Sequence, residues 1–522
     1  MLNLYGGEAL IRALEHEGVR TVFGIPGLGQ YEAIDALYQR PSVRYVGVRN
    51  EQAATYMADG YARASGEIAA ALVLPGPGVL NATAGMATAY AVSAPMLVIT
   101  GIDHQREGQD ETRPVPLLQE LTKWSGRAHT VAEVPGLVHT AMQQLRSGRP
   151  RPVALEVPHA VLAARGPVEF PDPAQTLRPG ADPAALDQAV ARMRAAQRPL
   201  IWAGGGVHTA DAADLVTALA EAWHAPVVTS RSGKGAISAR HPLALGYAEL
   251  RYAPLRQWVD ESDVILVLGT SANLGAIKGQ IIQVDIDPAQ LAVGEKGVGL
   301  VGDLQTVLTD LLAHQAEWVQ DRPDPTAAVA ALNAARLAPA DQLQPQWGFN
   351  TALRSALPDD AIVAFDMTQM GYYSRNYFPV YRSRTYLHPS RLWTLGAAFP
   401  LALGAKVAQP NRVVAAVLGD GGFLYNAQEL ATAVQYEIPI ITLVFNDNAF
   451  GNVLRAQQEE FDGHVLATKL HNPDFVRLAE SYGVEAWRAN DADELAAALQ
   501  QAQRAEGPTL IEIPVGPMQR AY

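Results

Sequence analysis

The 522-residue chain contains no cysteine. Disulfides, thiolate metal sites and a cysteine nucleophile are therefore excluded. Aromatic residues make up only 7% and charged residues 18%, while hydrophobic residues reach 48%, a balance that suits large buried sheets. Positive charge is in short supply, with 40 Lys and Arg against 53 Asp and Glu and a net charge of -13. That deficit argues against nucleic acid and against anionic membrane surfaces as partners. Long hydrophobic runs are scarce too. The longest uncharged stretch, Ile68 to Ile102, is broken by Pro75, Pro77 and Pro95 and is rich in Gly, Ala and Thr. It reads as strand, loop, helix and strand rather than a membrane span. The first residues, Met1 to Val19, read as an amphipathic helix without a signal-peptide core. The expectation is a soluble, cytoplasmic protein of about three domains.

What the chain does contain is organised around Val413 to Val453. Two β-branched apolar runs, Val413 to Leu418 and Ile440 to Phe445, flank a segment from Phe423 to Glu437 with helical spacing. Runs without polar alternation suit strands buried on both faces of a parallel sheet. The first run ends at Gly419-Asp420-Gly421-Gly422 and the second at Asn446-Asp447-Asn448. Ligands of open parallel sheets bind beyond the carboxyl ends of the strands, so Asp420 and Asp447 are expected at one edge. Glycines let peptide N–H groups approach a phosphate at a helix start. Two carboxylates facing a phosphate need a cation between them, and oxygen donors suit Mg²⁺.

These residues resemble the signature of thiamine-diphosphate enzymes, of the acetolactate synthase, benzoylformate decarboxylase and pyruvate decarboxylase type. The resemblance spans essentially the whole chain and is greatest to acetolactate synthase large subunits. It implies three doubly wound parallel-sheet α/β domains: pyrimidine-binding (1–167), middle (183–320) and diphosphate-binding (348–522). It implies that Asp420, Asp447 and the carbonyl of Ala449 hold Mg²⁺, with Gly419, Gly421, Gly422, Phe450 and Gly451 beside the cofactor. Asn is usual in the family where this chain has Asp447, which adds a negative charge next to a diphosphate.

In the first domain, strands are expected at Val22 to Ile25, Val43 to Val48, Ala69 to Leu74 and Met96 to Thr100, with helices between them. Glu51 closes the second of these strands. Its buried place predicts a carboxyl whose pKa is raised by desolvation. The stretch from Val48 to Arg63 is similar to the family's glutamate motif, which implies that Glu51 hydrogen-bonds the cofactor's aminopyrimidine and helps activate its thiazolium. Glu51 is thus the expected catalytic residue. The resemblance also puts Leu28, Gly29 and Gln30, then Asn81 after a Gly-Pro-Gly loop, on the substrate side. Asn50 and Ile102 stand where acetolactate synthases commonly carry His and Gln. His104 stands alone where pyruvate decarboxylases carry paired histidines, and is kept as a substrate-side candidate.

A Pro- and Gly-rich stretch, 166–182, marks a boundary. The middle domain alternates again, with strands expected at Leu200 to Ala203, Val227 to Thr229, Val264 to Leu268 and Ile281 to Ile286. Gly204 and Gly206 begin a dinucleotide pattern, but Thr209 occupies the place of its third glycine. The sequence after Gly269 departs from the flavin loop of FAD-containing acetolactate synthases, which argues against bound FAD and for a domain that buttresses a dimer. After a second linker, 321–347, the strand Ile362 to Phe365 leads into Met367, Thr368, Gln369 and Met370, which by resemblance cover the diphosphate. Leu395 falls on the family's apolar wedge under the cofactor, a proximity device, and the carbonyl of Trp393 on its acceptor for the amino group. Asn448 and Val453 complete the substrate-side set.

The expected function is thiamine-diphosphate-dependent decarboxylation of a 2-oxo acid, pyruvate first, with acetolactate-synthase-like carboligation. A non-ligating decarboxylase of the benzoylformate type is the alternative, and a nicotinamide oxidoreductase a more distant one. Family members build each site from two subunits, so a homodimer is the minimum assembly and a tetramer is compatible.

Overall fold

Buried apolar strands alternate with helices to form three six-stranded sheets, parallel throughout. The computed structural model describes residues 2–101, 114–271, 277–294 and 297–520. The chain opens with strand β1 (Leu2–Tyr5), then the helix Gly6–His16. The expected single N-terminal helix is thus corrected: β1 pairs antiparallel with β8 (Arg165–Val168) and ties the N terminus to the end of the first domain.

The first sheet comprises β2 (Thr21–Gly24), β3 (Arg44–Gly47), β4 (Ala70–Val73), β5 (Leu97–Thr100), β6 (Trp124–Arg127) and β7 (Val153–Glu156), ordered β3-β2-β4-β5-β7-β6. The second comprises β9 (Pro199–Ala203), β10 (Val227–Thr229), β11 (Ala244–Tyr247), β12 (Val264–Leu268), β13 (Gln280–Asp285) and β14 (Gly297–Val301), ordered β11-β10-β9-β12-β13-β14. The third comprises β15 (Ile362–Phe365), β16 (Tyr386–Leu387), β17 (Val414–Gly419), β18 (Ile441–Asn446), β19 (Glu485–Arg488) and β20 (Thr509–Pro514), ordered β16-β15-β17-β18-β20-β19. Each order reverses direction beside its first long strand, the place where doubly wound sheets open a crevice.

Two local expectations fail for physical reasons. The helix after β4 begins at Pro77 and runs to Val92, so Asn81 lies inside it rather than in a loop. Proline lacks an N–H and fits the first helical position without loss. The segment after β17 is not one helix. It breaks into a short helix Asp420–Phe423, a 3₁₀ turn Ala427–Glu429 and a helix Leu430–Gln435.

The first and third domains share one core. The helix Glu51–Ser65 crosses the helix Ala398–Ala408, and the buried cluster runs continuously from Phe23 and Tyr56 to Leu401 and Phe423. Glycines set the crossing. A Cβ built at Gly60 would lie 1.9 Å from the carbonyl oxygen of Leu401, and one at Gly404 would lie 1.9 Å from that of Met57. The middle domain docks through Lys234, whose Nζ donates to the carbonyls of Ser374 (3.0 Å), Arg375 (3.0 Å) and Phe378 (2.8 Å). Those carbonyls end the helix Gln369–Tyr377, where a cation is favoured.

Candidate active site

β17 and β18 are neighbours in register, with Gly419 opposite Phe445. Asp420 and Asp447 therefore leave the sheet at the same edge, as the strand runs predict. Asp420 is 2% exposed and is the first residue of its short helix. Burial raises its pKa, opposed by the amide of Asn472 and by peptide N–H groups. Asp447 is pushed up to about 6, first by burial and next by the charge of Asp420. A buried carboxyl that raises the proton affinity of a half-buried neighbour makes a place where a cation is stabilised.

The turn after β18 is fixed by its own polar groups. Asp447 Oδ1 accepts from Ala449 N (3.2 Å), Asn446 Oδ1 accepts from Asn448 N (3.1 Å), and Asn448 adopts φ 52°. Beside this turn a cavity of about 240 Å³ opens at the carboxyl ends of the strands. Its walls include Met367, Thr368, Gln369, Trp393, Leu395, Gly419 to Gly422, Asp447, Ala449, Phe450, Gly451 and Val453. Most of the third-domain residues singled out by sequence thus meet in one space. Met370 does not: it is fully buried in the core under β15. Nor does Asn448, whose Oδ1 instead accepts from Asn472 Nδ2 at 3.3 Å.

Two carboxylates and one carbonyl are hard oxygen donors, which suit Mg²⁺ and leave part of an octahedral shell for phosphate and water. Among the described residues no group of three or more His, Asp or Glu side chains forms a metal site by itself. The peptide N–H groups at the start of the helix beginning at Asp420 suit the phosphate side.

Three contributors carry no signal in the sequence. Asn472 donates its Nδ2 to Asp420 Oδ2 (2.6 Å) and Asn446 Oδ1 (3.1 Å), orienting the carboxylate from a loop 52 residues further on. Asp366, at the end of β15, accepts the N–H of Gly396 on Oδ2 (2.7 Å). Burial pushes Asp366 up to about 6. Gly396 has φ +78°, and its carbonyl accepts from Asn426 Nδ2 (2.8 Å), so the loop carrying Trp393 and Leu395 is pinned from both sides. Trp393 itself holds φ 55° and receives the Arg231 guanidinium over its ring at 4.6 Å. Tyr372, Val515 and Met518 also line the cavity.

The first-domain residues gather elsewhere. Glu51 is the first residue of its helix and is 6% exposed. Asn50 caps that helix, its Oδ1 accepting from Gln52 N (2.9 Å). Asn81 donates Nδ2 to Glu51 Oε2 at 3.1 Å, and a Cβ at Gly78 would lie 2.7 Å from Oε1. Gln30 is buried and donates Nε2 to the carbonyl of Val73 (2.6 Å). Gly29 sits at φ +87°, and Leu28 is exposed. None of Leu28, Gly29, Gln30, Glu51 and Asn81 lines the Asp420 cavity. His104 lies outside the described residues.

The middle domain carries a feature that its sequence pattern does not announce. A cavity of about 530 Å³ opens where its strand order reverses, beyond β9, β10, β12 and β13, with Gly205, Gly206, Ser230, Gly269 and Asp285 among its walls.

The whole chain finds its counterparts among known proteins. Residues 4–121 match the "Thiamine pyrophosphate enzyme, N-terminal TPP binding domain", residues 186–311 the central domain and residues 366–513 the C-terminal TPP binding domain. The chain is similar to the "Probable 2-ketoarginine decarboxylase AruI" of Pseudomonas aeruginosa, at 36% identity over 98% of this chain and 94% of that one. It is similar to the "Probable acetolactate synthase large subunit" of Methanocaldococcus jannaschii, at 34% identity over 98% of this chain and 92% of the other. It is also similar to the "Acetolactate synthase isozyme 3 large subunit" of Escherichia coli, at 31% identity over 96% and 92%. With three matched domains and relatives aligned nearly end to end, the chain belongs to the thiamine pyrophosphate enzymes, as an enzyme of their 2-oxo acid decarboxylase and carboligase group.

Proposed function

We propose that the protein uses thiamine diphosphate and Mg²⁺ to decarboxylate pyruvate and to join the two-carbon fragment to a second 2-oxo acid, as acetolactate synthases do. The observation that carries this reading is the cavity in which buried Asp420 and half-buried Asp447 meet a glycine-rich helix start at the carboxyl ends of β17 and β18. Bound thiamine diphosphate supplies the sink for the electron pair released when a 2-oxo acid loses CO₂. The protein binds and orients. Asp420, Asp447 and the Ala449 carbonyl would hold the metal, and Gly419 to Gly422 with Met367 to Gln369 would take the diphosphate. Leu395 would support the cofactor, and the Trp393 carbonyl would accept from its amino group.

Glu51 carries the proton on the aminopyrimidine side. Asn81 engages Oε2, which leaves Oε1 to hold or release it. Glu51 and the Asp420 cavity are separate within one chain, which supports a homodimer in which each chain's Glu51 serves its partner's cofactor. The domain boundaries 1–167, 183–320 and 348–522 belong to the same proposal. No flavin is included, because the sequence after Gly269 departs from the flavin loop of FAD-containing acetolactate synthases.

Pyruvate is taken as the first substrate because the chain is similar to acetolactate synthase large subunits over nearly its whole length. A second reading, decarboxylation of a longer 2-oxo acid without ligation, is favoured by the similarity to the 2-ketoarginine decarboxylase. Family membership sets the nicotinamide alternative aside. Product analysis separates the readings: pyruvate giving CO₂ and acetolactate supports carboligation. Turnover of 2-ketoarginine to CO₂ and aldehyde, with pyruvate inert, establishes the second reading instead.

A further inference from the structure

Glu429 is a fully buried carboxylate that the reaction just described does not use. It lies nine residues after Asp420 in the third domain, yet it reaches a peptide N–H of the first. Oε1 accepts from the peptide N–H of Arg49 at 3.0 Å and Oε2 from the same N–H at 3.2 Å. Thr432 donates its hydroxyl to Oε2 (2.6 Å) and also lies 3.4 Å from the carbonyl of Gly47. The guanidinium of Arg49 turns away to Gln435 Oε1 (2.6 Å), so peptide and hydroxyl donors face the carboxylate. Arg44 donates to the carbonyl of Tyr436 (3.1 Å). The end of β3 and the two residues before Glu51 are thus gripped by one segment of the third domain.

Burying a carboxylate costs several kcal/mol unless its oxygens are satisfied, and an apolar side chain would fill the same space without that cost. What the carboxylate adds is direction: it fixes the Arg49 peptide, one residue before the helix cap Asn50 and two before Glu51. We propose that Glu429 is a positioning residue for Glu51, holding the peptide that launches the helix Glu51–Ser65 and so the aim of the Glu51 carboxyl. The inference rests on the function proposed above, in which Glu51 serves the cofactor of the partner subunit. Glu429 follows Asp420 in sequence but acts on the other site.

Reach and charge can be varied separately. Glu429→Gln keeps an acceptor at full reach without charge. Glu429→Asp keeps the charge but withdraws it by one methylene, and Glu429→Ala removes both. In cofactor-free protein, amide hydrogen exchange on peptides spanning residues 47–52 reads the grip directly: alanine and aspartate lose protection there and glutamine keeps it. With Mg²⁺ and thiamine diphosphate bound, deuterium exchange at the cofactor's C2 reads the aim of Glu51. Alanine and aspartate slow it by about tenfold or more, the scale of a small misplacement, while glutamine stays near wild type and cofactor affinity is unchanged. Should alanine fail to fold, the aspartate and glutamine pair still separates reach from charge. Aspartate near wild type with glutamine slowed would overturn the proposal, because charge rather than reach would then matter. Weakened cofactor affinity with unchanged C2 exchange would also overturn it, placing Glu429 on the Asp420 side. Glu51→Gln is the control. If it exchanges like wild type, the proposed function fails rather than the role of Glu429.

Discussion

At the scale of single residues, the site depends on carboxylates shielded from water, and Asp420 and Glu51 are held by neighbours distant in sequence. Asn472 illustrates this. Its amide is shared between Asp420, Asn446 and Asn448, so it aims the Asp420 oxygens without being a metal donor. Asn472→Ala is expected to weaken Mg²⁺-dependent cofactor binding by about tenfold, the usual effect of losing an outer-shell partner; titration calorimetry checks it. Asp59 shows the opposite use of burial. It is fully buried, both oxygens lack hydrogen bonds, and Arg63 is 3.7 Å away. Burial pushes its pKa up from 3.8 to about 6. The folded state therefore favours the proton: this contribution is intact below about pH 4 and is lost as pH rises through about 6. Asp59→Asn is expected to stabilise the protein by about 2–3 kcal/mol at pH 7 and by almost nothing near pH 4. Urea denaturation at the two pH values decides it.

Asp420 and Asp447 are legible in the sequence because they follow the ends of apolar runs beside glycines, whereas Leu395 is singled out only by the resemblance. Asn472, Asp366 and Glu429 are not legible. Their long-range partners lie 24 to 380 residues away, and no local pattern encodes such a pairing.

At the scale of elements, strands with β-branched runs are readable almost to the residue: Val227–Thr229, Val264–Leu268 and Ile362–Phe365 are as expected. β11 and β14 are not readable in this way. Ala-Leu-Gly-Tyr and Gly-Val-Gly-Leu-Val carry glycines that weaken a strand pattern, and each pairs on only one side at a sheet edge. The helix starting at Pro77 reads as a loop because Gly-Pro-Gly resembles a turn, although proline at the first helical position is itself a start signal. Helix crossing is invisible in the sequence, and Gly60 and Gly404 explain it. A methyl group at Gly404 would meet the Met57 backbone, which cannot rotate away. Gly404→Ala is therefore expected to destabilise the fold by about 2–3 kcal/mol or more, seen as a lower urea midpoint. An unchanged midpoint would mean that the two helices do not pack on their backbones.

At the scale of the whole molecule, the chain has three parallel sheets, and its first and third domains are fused by one core. In the function proposed above, each chain presents two half-sites, one around Glu51 and one around Asp420. The middle domain is anchored to the third by Lys234 and by the Arg231–Trp393 contact, so it steadies the loop that carries Leu395. The regular alternation of apolar runs with helical spacing makes this architecture legible as doubly wound parallel sheets. The pairing of half-sites is legible only through the resemblance.

The most direct test is calorimetric titration of metal-stripped protein with thiamine diphosphate, with and without Mg²⁺, in wild type and in Asp420→Ala. The account predicts binding that requires Mg²⁺ and is lost in the variant, because the metal links the Asp420 and Asp447 carboxylates to the diphosphate. Binding that is indifferent to Mg²⁺, or unchanged in Asp420→Ala, would contradict it.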